Sequence, residues 1–146
     1  MICERIHGSI ADDAPEVDWV EIDWPQTVRR ALRLKSRGGR RVDILLPPQS
    51  QLRHGDLVFA GPPRIAIWVR PCDLLEISPP DATKAAEAAT HLGNLHIAVE
   101  LRGGSILTPN DGPAVEIAEQ LGVPWRRVCD RFHPLKVSVQ SPLVRG

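Results

Sequence analysis

The sequence predicts an α+β fold in which a small N-terminal all-β domain precedes a ferredoxin-like βαββαβ domain. Two observations carry that expectation: period-two alternation folded about Gly-Gly pairs, and two capped stretches of helical periodicity set between strand-like runs. The first alternation runs from Val28 to Leu46. Val28, Arg30, Leu32 and Leu34 fall on one face, Gly38-Gly39 supplies the turn, and Val42, Ile44 and Leu46 resume the pattern around Asp43. Pro47-Pro48 ends this hairpin, Leu52 begins a short return, and His54-Gly55-Asp56 leads into a strand at LVFA.

From Arg64 the grammar changes. IAIWVR and LLEI are strand-like, and the first convincing helix follows them. Ser78-Pro79-Pro80-Asp81 has the form of an N-cap with proline at the first helical position and a carboxylate at the third. Ala82, Ala85, Ala86, Ala89 and Leu92 then recur at helical spacing, a stripe suited to close packing on a sheet, and Gly93 is a fitting stop. HIAVELR alternates with period two, and a Gly103-Gly104 turn joins it to SILT. Asp111 can cap a second helix carrying Ala114, Ile117, Ala118 and Leu121, which ends at Gly122 and leaves WRRVCDRF as the last strand. The expected domains are residues 1–70, the β domain, and residues 71–134, the ferredoxin-like domain, with 135–146 a flexible tail.

Composition excludes several function classes. Among 146 residues, 18 Lys plus Arg balance 18 Asp plus Glu, so no net field favours nucleic acid or an anionic membrane. Glu4 and Arg5 interrupt the apolar run a signal peptide needs, and no stretch is long enough for a membrane span, so a cytoplasmic location is expected. Cys3, Cys72 and Cys129 are odd in number, widely spaced and without a C-x-x-C pair, which reads as reduced structural thiols. G-x-S-x-G, Walker, G-x-G-x-x-G and H-E-x-x-H patterns are missing, and no catalytic residue is nominated. Asp12-Asp13, Asp18 and Asp23 read as a solvated face, and Arg37, Arg40 and Arg41 as protection of a hairpin edge.

The histidines are more informative, because two of five stand together in HLGNLH. His91 falls in the last helical turn beside Lys84, Glu87 and Ala88, where an imidazole favours the helix end by about 0.3–1 kcal/mol. His96 is expected to open a strand in which Ile97, Val99 and Leu101 face the core, leaving His96 on the outer face with Ala98, Glu100 and Arg102. There it can be plain surface, a protein contact or a metal ligand. His7, His54 and His133 are isolated in sequence, His54 reading as structural or exposed.

Taken together, these residues resemble the UreE family, the nickel metallochaperones of urease maturation. HLGNLH is similar to the family's YHLGNRH junction, and RALRLKSRGGRRVDILLPPQSQLRHGDLVFA resembles its N-terminal β domain. The segment from about Arg64 resembles its C-terminal domain, including the ND start and LG end of the second helix. The resemblance implies a homodimer joined through the C-terminal domains, with His96 near the two-fold axis where two copies hold one nickel ion. It also implies contacts with the maturation GTPase UreG and the apo-urease complex, and a carrier rather than an enzyme, with no organic cofactor. Imidazole suits nickel, copper and zinc alike, and an open two-imidazole site suits release. His91 is expected to support the site or the helix end, and His133, at the start of the tail, is a candidate extra ligand.

The chain departs from the family pattern in four places. RFHPLKVSVQSPLVRG carries His133 as its only histidine where many members have a histidine-rich tail, and Asn110-Asp111-Gly112 replaces accessory histidines found in some. Leu95 stands for the usual arginine and Thr90 for the tyrosine. The alternative function is a metal-independent peptide-binding or scaffolding module that uses the strand edges of the β domain.

Overall fold

Val17–Ile22 is strand β2 in the computed structural model, which describes residues 1–136, and it follows a two-residue strand β1 at Ile2–Cys3. The remaining elements are α1 (Trp24–Thr27), β3 (Ala31–Lys35), β4 (Arg41–Leu45), β5 (Leu57–Phe59), β6 (Arg64–Val69), β7 (Cys72–Ile77), α2 (Ala82–Asn94), β8 (Glu100–Arg102), β9 (Ser105–Pro109), α3 (Gly112–Gln120) and β10 (Trp125–Asp130). In the first half, sheets β1-β4-β3 and β2-β6-β5 share a core that includes Ile22, Ile44, Leu46, Leu52, Ile65 and Ile67. IAIWVR belongs to this half: β6 pairs parallel with β2 and antiparallel with β5. The first hairpin is shorter than the alternation suggests, because Pro25 lies in the one-turn helix α1 and Val28 is its C-cap.

Asp18 overturns its reading as a solvated carboxylate. Its side chain is 8% exposed and accepts hydrogen bonds from Ser36 Oγ at 2.6 Å, Gly38 N at 2.8 Å and Arg40 Nη1 at 2.7 Å. It thus clamps the β3–β4 turn from β2, so tightly that a Cβ on Gly38 would meet Asp18 Oδ2 at 2.9 Å. Burial pushes the carboxyl pKa up, but the Ser36, Arg40 and Gly38 donors outweigh it and hold the group below its ordinary value. Folding therefore gains from this group at neutral pH and loses the gain as pH falls below about 4. Asp18→Ala is expected to cost about 1–3 kcal/mol, read from urea midpoints. Asp18→Asn should flatten the acid limb of the stability profile, and an unchanged limb would refute the clamp.

The second half meets the ferredoxin-like expectation. Its strand order is β10-β7-β9-β8, every pair is antiparallel, and α2 and α3 pack on one face over Leu75, Ile77, Leu92, Ile106, Ile117 and Val123. Asp111 caps α3 as its position predicts, accepting from Ala114 N at 3.0 Å. The α2 cap is Asp81 rather than Ser78: Asp81 Oδ1 accepts from Lys84 N at 2.8 Å, while Ser78 N donates to Pro124 O. The buried stripe is likewise turned from the expected one, with Ala88 and Leu92 inside and Ala82 and Ala86 outside. Alanines occur on several sides of this helix, so Leu92 selects the face, and Ala88 and Ala89, four and three residues before it, follow.

Helices α2 and α3 cover one face of this sheet only. The other face, with Leu74, Leu107 and Val128, is closed by Phe132 and by Trp24 of the first half, whose rings meet edge to face at 4.9 Å. Among the expected tail residues, Leu135 is tied to the second half by its backbone, its N donating to Val99 O at 2.7 Å while its side chain stays exposed, and Lys136 Nζ donates to Val28 O and Ser50 O. Residues 137–146 of that tail lie outside the described residues. Among the described residues no helix is long and apolar enough to cross a membrane.

Candidate metal site

Helix α2 does not stop at Gly93. It runs to Asn94, with Leu95 as C-cap, and the chain then turns through His96 at φ +57°. His96 N donates to Gly93 O at 3.0 Å and Ile97 N to Leu92 O at 3.0 Å, the paired bonds of a Schellman ending with His96 in the left-handed position. Ile97 packs against the same core as Leu92, which completes the motif. His96 therefore does not open a strand; β8 begins only at Glu100.

Beyond this turn the expected alternation holds in part. Ile97 and Val99 pack on the helix side and Ala98 on the other, but Leu101 lies outside the helical cover and is 58% exposed. The left-handed region is a glycine's place, and a histidine there stores about 1–2 kcal/mol of strain. That strain falls on an exposed imidazole at a helix end, a residue type that binds metal through neutral nitrogen.

His91 is exposed in the last turn of α2, near the expected place, and lines a cavity of about 240 Å³ against Glu116 and Gln120 of α3. His133 lies elsewhere. It is half-buried in a cleft of about 200 Å³ between the two halves, lined also by Thr27 and Arg53, and its backbone N–H donates to Glu100 Oε1 at 2.8 Å. Burial and then the nearby Arg53 charge push its pKa below the ordinary value, with Glu100 opposing, so neutral imidazole is favoured. It lies between the buried Phe132 and Pro134. Among the described residues, no group of three or more His, Cys, Asp or Glu is arranged to hold a metal ion.

His54 proves structural. Its Nδ1 accepts from Val69 N at 3.1 Å, which leaves Nε2 to carry the proton and donate to Asp12 Oδ1 at 2.6 Å. Its ring lies parallel to Trp19 and edge-on to Trp68, and Arg37 and Arg131 each lie over Trp68, at 4.7 and 4.9 Å from its centroid. Both ring nitrogens being engaged, His54 offers no lone pair to a metal. Sequence reading missed this cluster because its members come from six separate stretches. Cys3 is buried and Cys72 half-buried, both thiols being pushed up chiefly by burial. Cys72 pairs with Asp130 and Cys129 with Asp73, so the two thiols point to opposite faces of the sheet.

The model of the N-terminal domain of the UreE urease accessory protein matches residues 2–69, and that of its C-terminal domain matches residues 72–142. The chain belongs to the UreE urease accessory protein family. It is 36% identical over 123 residues to the urease accessory protein UreE of Beijerinckia indica, covering 82% of this chain and 70% of that one. The UreE of Actinobacillus pleuropneumoniae is 33% identical over 130 residues, covering 83% of this chain and 70% of the relative. That of Acetivibrio thermocellus is 27% identical over 140 residues and covers 92% of each. Membership in UreE gives the chain a role in urease maturation, as an accessory protein rather than as the urease itself.

Proposed function

We propose that the chain is a nickel carrier, a cytoplasmic homodimer that holds the ion between two copies of His96 and delivers it to apo-urease with the GTPase UreG. The observation that carries this reading is His96 itself, an exposed histidine kept in a glycine's conformation at the end of α2. Among the described residues one chain gathers too few donors, and a two-fold axis beside His96 would double them. Apolar surface for such a contact is at hand: Leu95 next to His96 is 54% exposed and Leu101 on edge strand β8 is 58% exposed. His91, one turn earlier, supports the helix end and the site, and His133 is a secondary ligand that its cleft keeps neutral. Nickel is cargo here, and imidazoles with open positions for labile ligands release it readily.

Nickel titration by calorimetry, with sedimentation alongside, tests the reading on the native chain, His96→Ala and Leu101→Asp. The expected result is one ion per two native chains and dimerisation that tightens with nickel, as linkage requires of a shared ion. His96→Ala should stay folded and lose both effects, while Leu101→Asp should weaken dimerisation at least tenfold. Dimerisation indifferent to nickel, or full binding by His96→Ala, would instead favour the metal-independent scaffold.

A further inference from the structure

The two halves are joined covalently through Arg70–Pro71, a connection of two residues between β6 and β7. So short a link acts as a hinge, and alone it leaves the angle between the halves to weak forces. The chain crosses between the halves a second time after β10, and there its attachments alternate. Toward the second half, Arg131 O accepts from Arg102 Nη2 at 3.1 Å, His133 N donates to Glu100 Oε1 at 2.8 Å and Leu135 N donates to Val99 O at 2.7 Å. Toward the first half, Arg131 Nε donates to Val69 O at 2.7 Å, Gln51 Nε2 to Pro134 O at 2.8 Å, and Lys136 Nζ to Val28 O and Ser50 O at 3.2 and 2.9 Å. Between these contacts Phe132, 1% exposed, sits against Trp24.

We propose that Arg131–Lys136 is a strap that sets the angle between the two halves. A hinge and a second crossing on the same pair of bodies remove the freedom that either would leave alone. Residues 133 and 135 hold one half while 134 and 136 hold the other, as an extended segment with alternating sides allows. The polar grip on the first half rests on two cations and one amide, beside the Phe132 ring that packs on Trp24. These hydrogen bonds add to a seam that the Phe132 and Trp24 rings already close, so opening it requires giving up both the polar contacts and the ring packing.

The test uses residual dipolar couplings on the full chain, native and Arg131→Met/Lys136→Met. The expected native result is one alignment tensor fitting the amides of both halves. The double variant should need two tensors, while chemical shifts inside each half stay native. Phe132→Ala, checked for folding by its amide dispersion, should loosen the angle further. A double variant still fitted by one tensor at the native angle would overturn the strap, as would a native chain that already needs two. The readout does not involve nickel, so it stands or falls separately from the carrier reading.

Discussion

His96→Gly is expected to make the chain more stable and to abolish the nickel binding proposed for this turn. The left-handed conformation at His96, φ +57°, strains a residue with a Cβ by about 1–2 kcal/mol, and glycine is free of that strain. Against this, glycine adds about 0.5–1 kcal/mol of backbone entropy to the unfolded chain. The balance is a gain of about 0.5–1 kcal/mol, visible as a shift of about 2–3 °C in Tm. A substitution that strengthens the fold and destroys the binding separates a residue kept for chemistry from one kept for structure. His96→Gly losing stability would mean that the imidazole makes contacts that outweigh its backbone, and the strain argument would fall.

Phe132→Ala should have the largest effect on stability, about 3–5 kcal/mol, because the ring is 1% exposed and removing it leaves a cavity between the sheet face and Trp24. Such a loss is a large part of the total stability of a domain, about 5–15 kcal/mol. Differential scanning calorimetry should also resolve two transitions in place of one, since the ring lies where the halves meet. One unsplit transition within about 1 kcal/mol of native would show that Trp24 alone closes that face.

The fold was legible wherever local signals agreed. Asp111 with Ala114, Ile117 and Ala118 marks α3 cleanly, since cap and stripe point to the same helix. At α2 the cap lies three residues beyond the expected Ser78: Pro79 and Pro80 have no N–H to offer that hydroxyl, whereas Asp81 Oδ1 accepts from Lys84 N. Gly93 is a decoy in the same way. The stop is set by Leu92 and Ile97 meeting in the core, which forces the residue between helix and strand, His96, into the left-handed region. Alternation gave the correct sides for Ile97, Ala98 and Val99, but no periodicity could announce a left-handed turn before them. Asp18 was misread for a related reason: its three donors come from a turn some twenty residues away. The partners of Lys136, at Val28 and Ser50, are farther still.

The face of the second sheet turned away from α2 and α3 carries a last consequence. A half-molecule ending at Arg70 would leave Trp24 without its cover, and one beginning at Pro71 would lack the indole that helps close its own sheet. The halves are consequently not interchangeable modules. A chimera that grafts one half onto a relative inherits the junction only if the Trp24 and Phe132 positions travel as a matched pair, so sequence change on either side of this seam is constrained by the other.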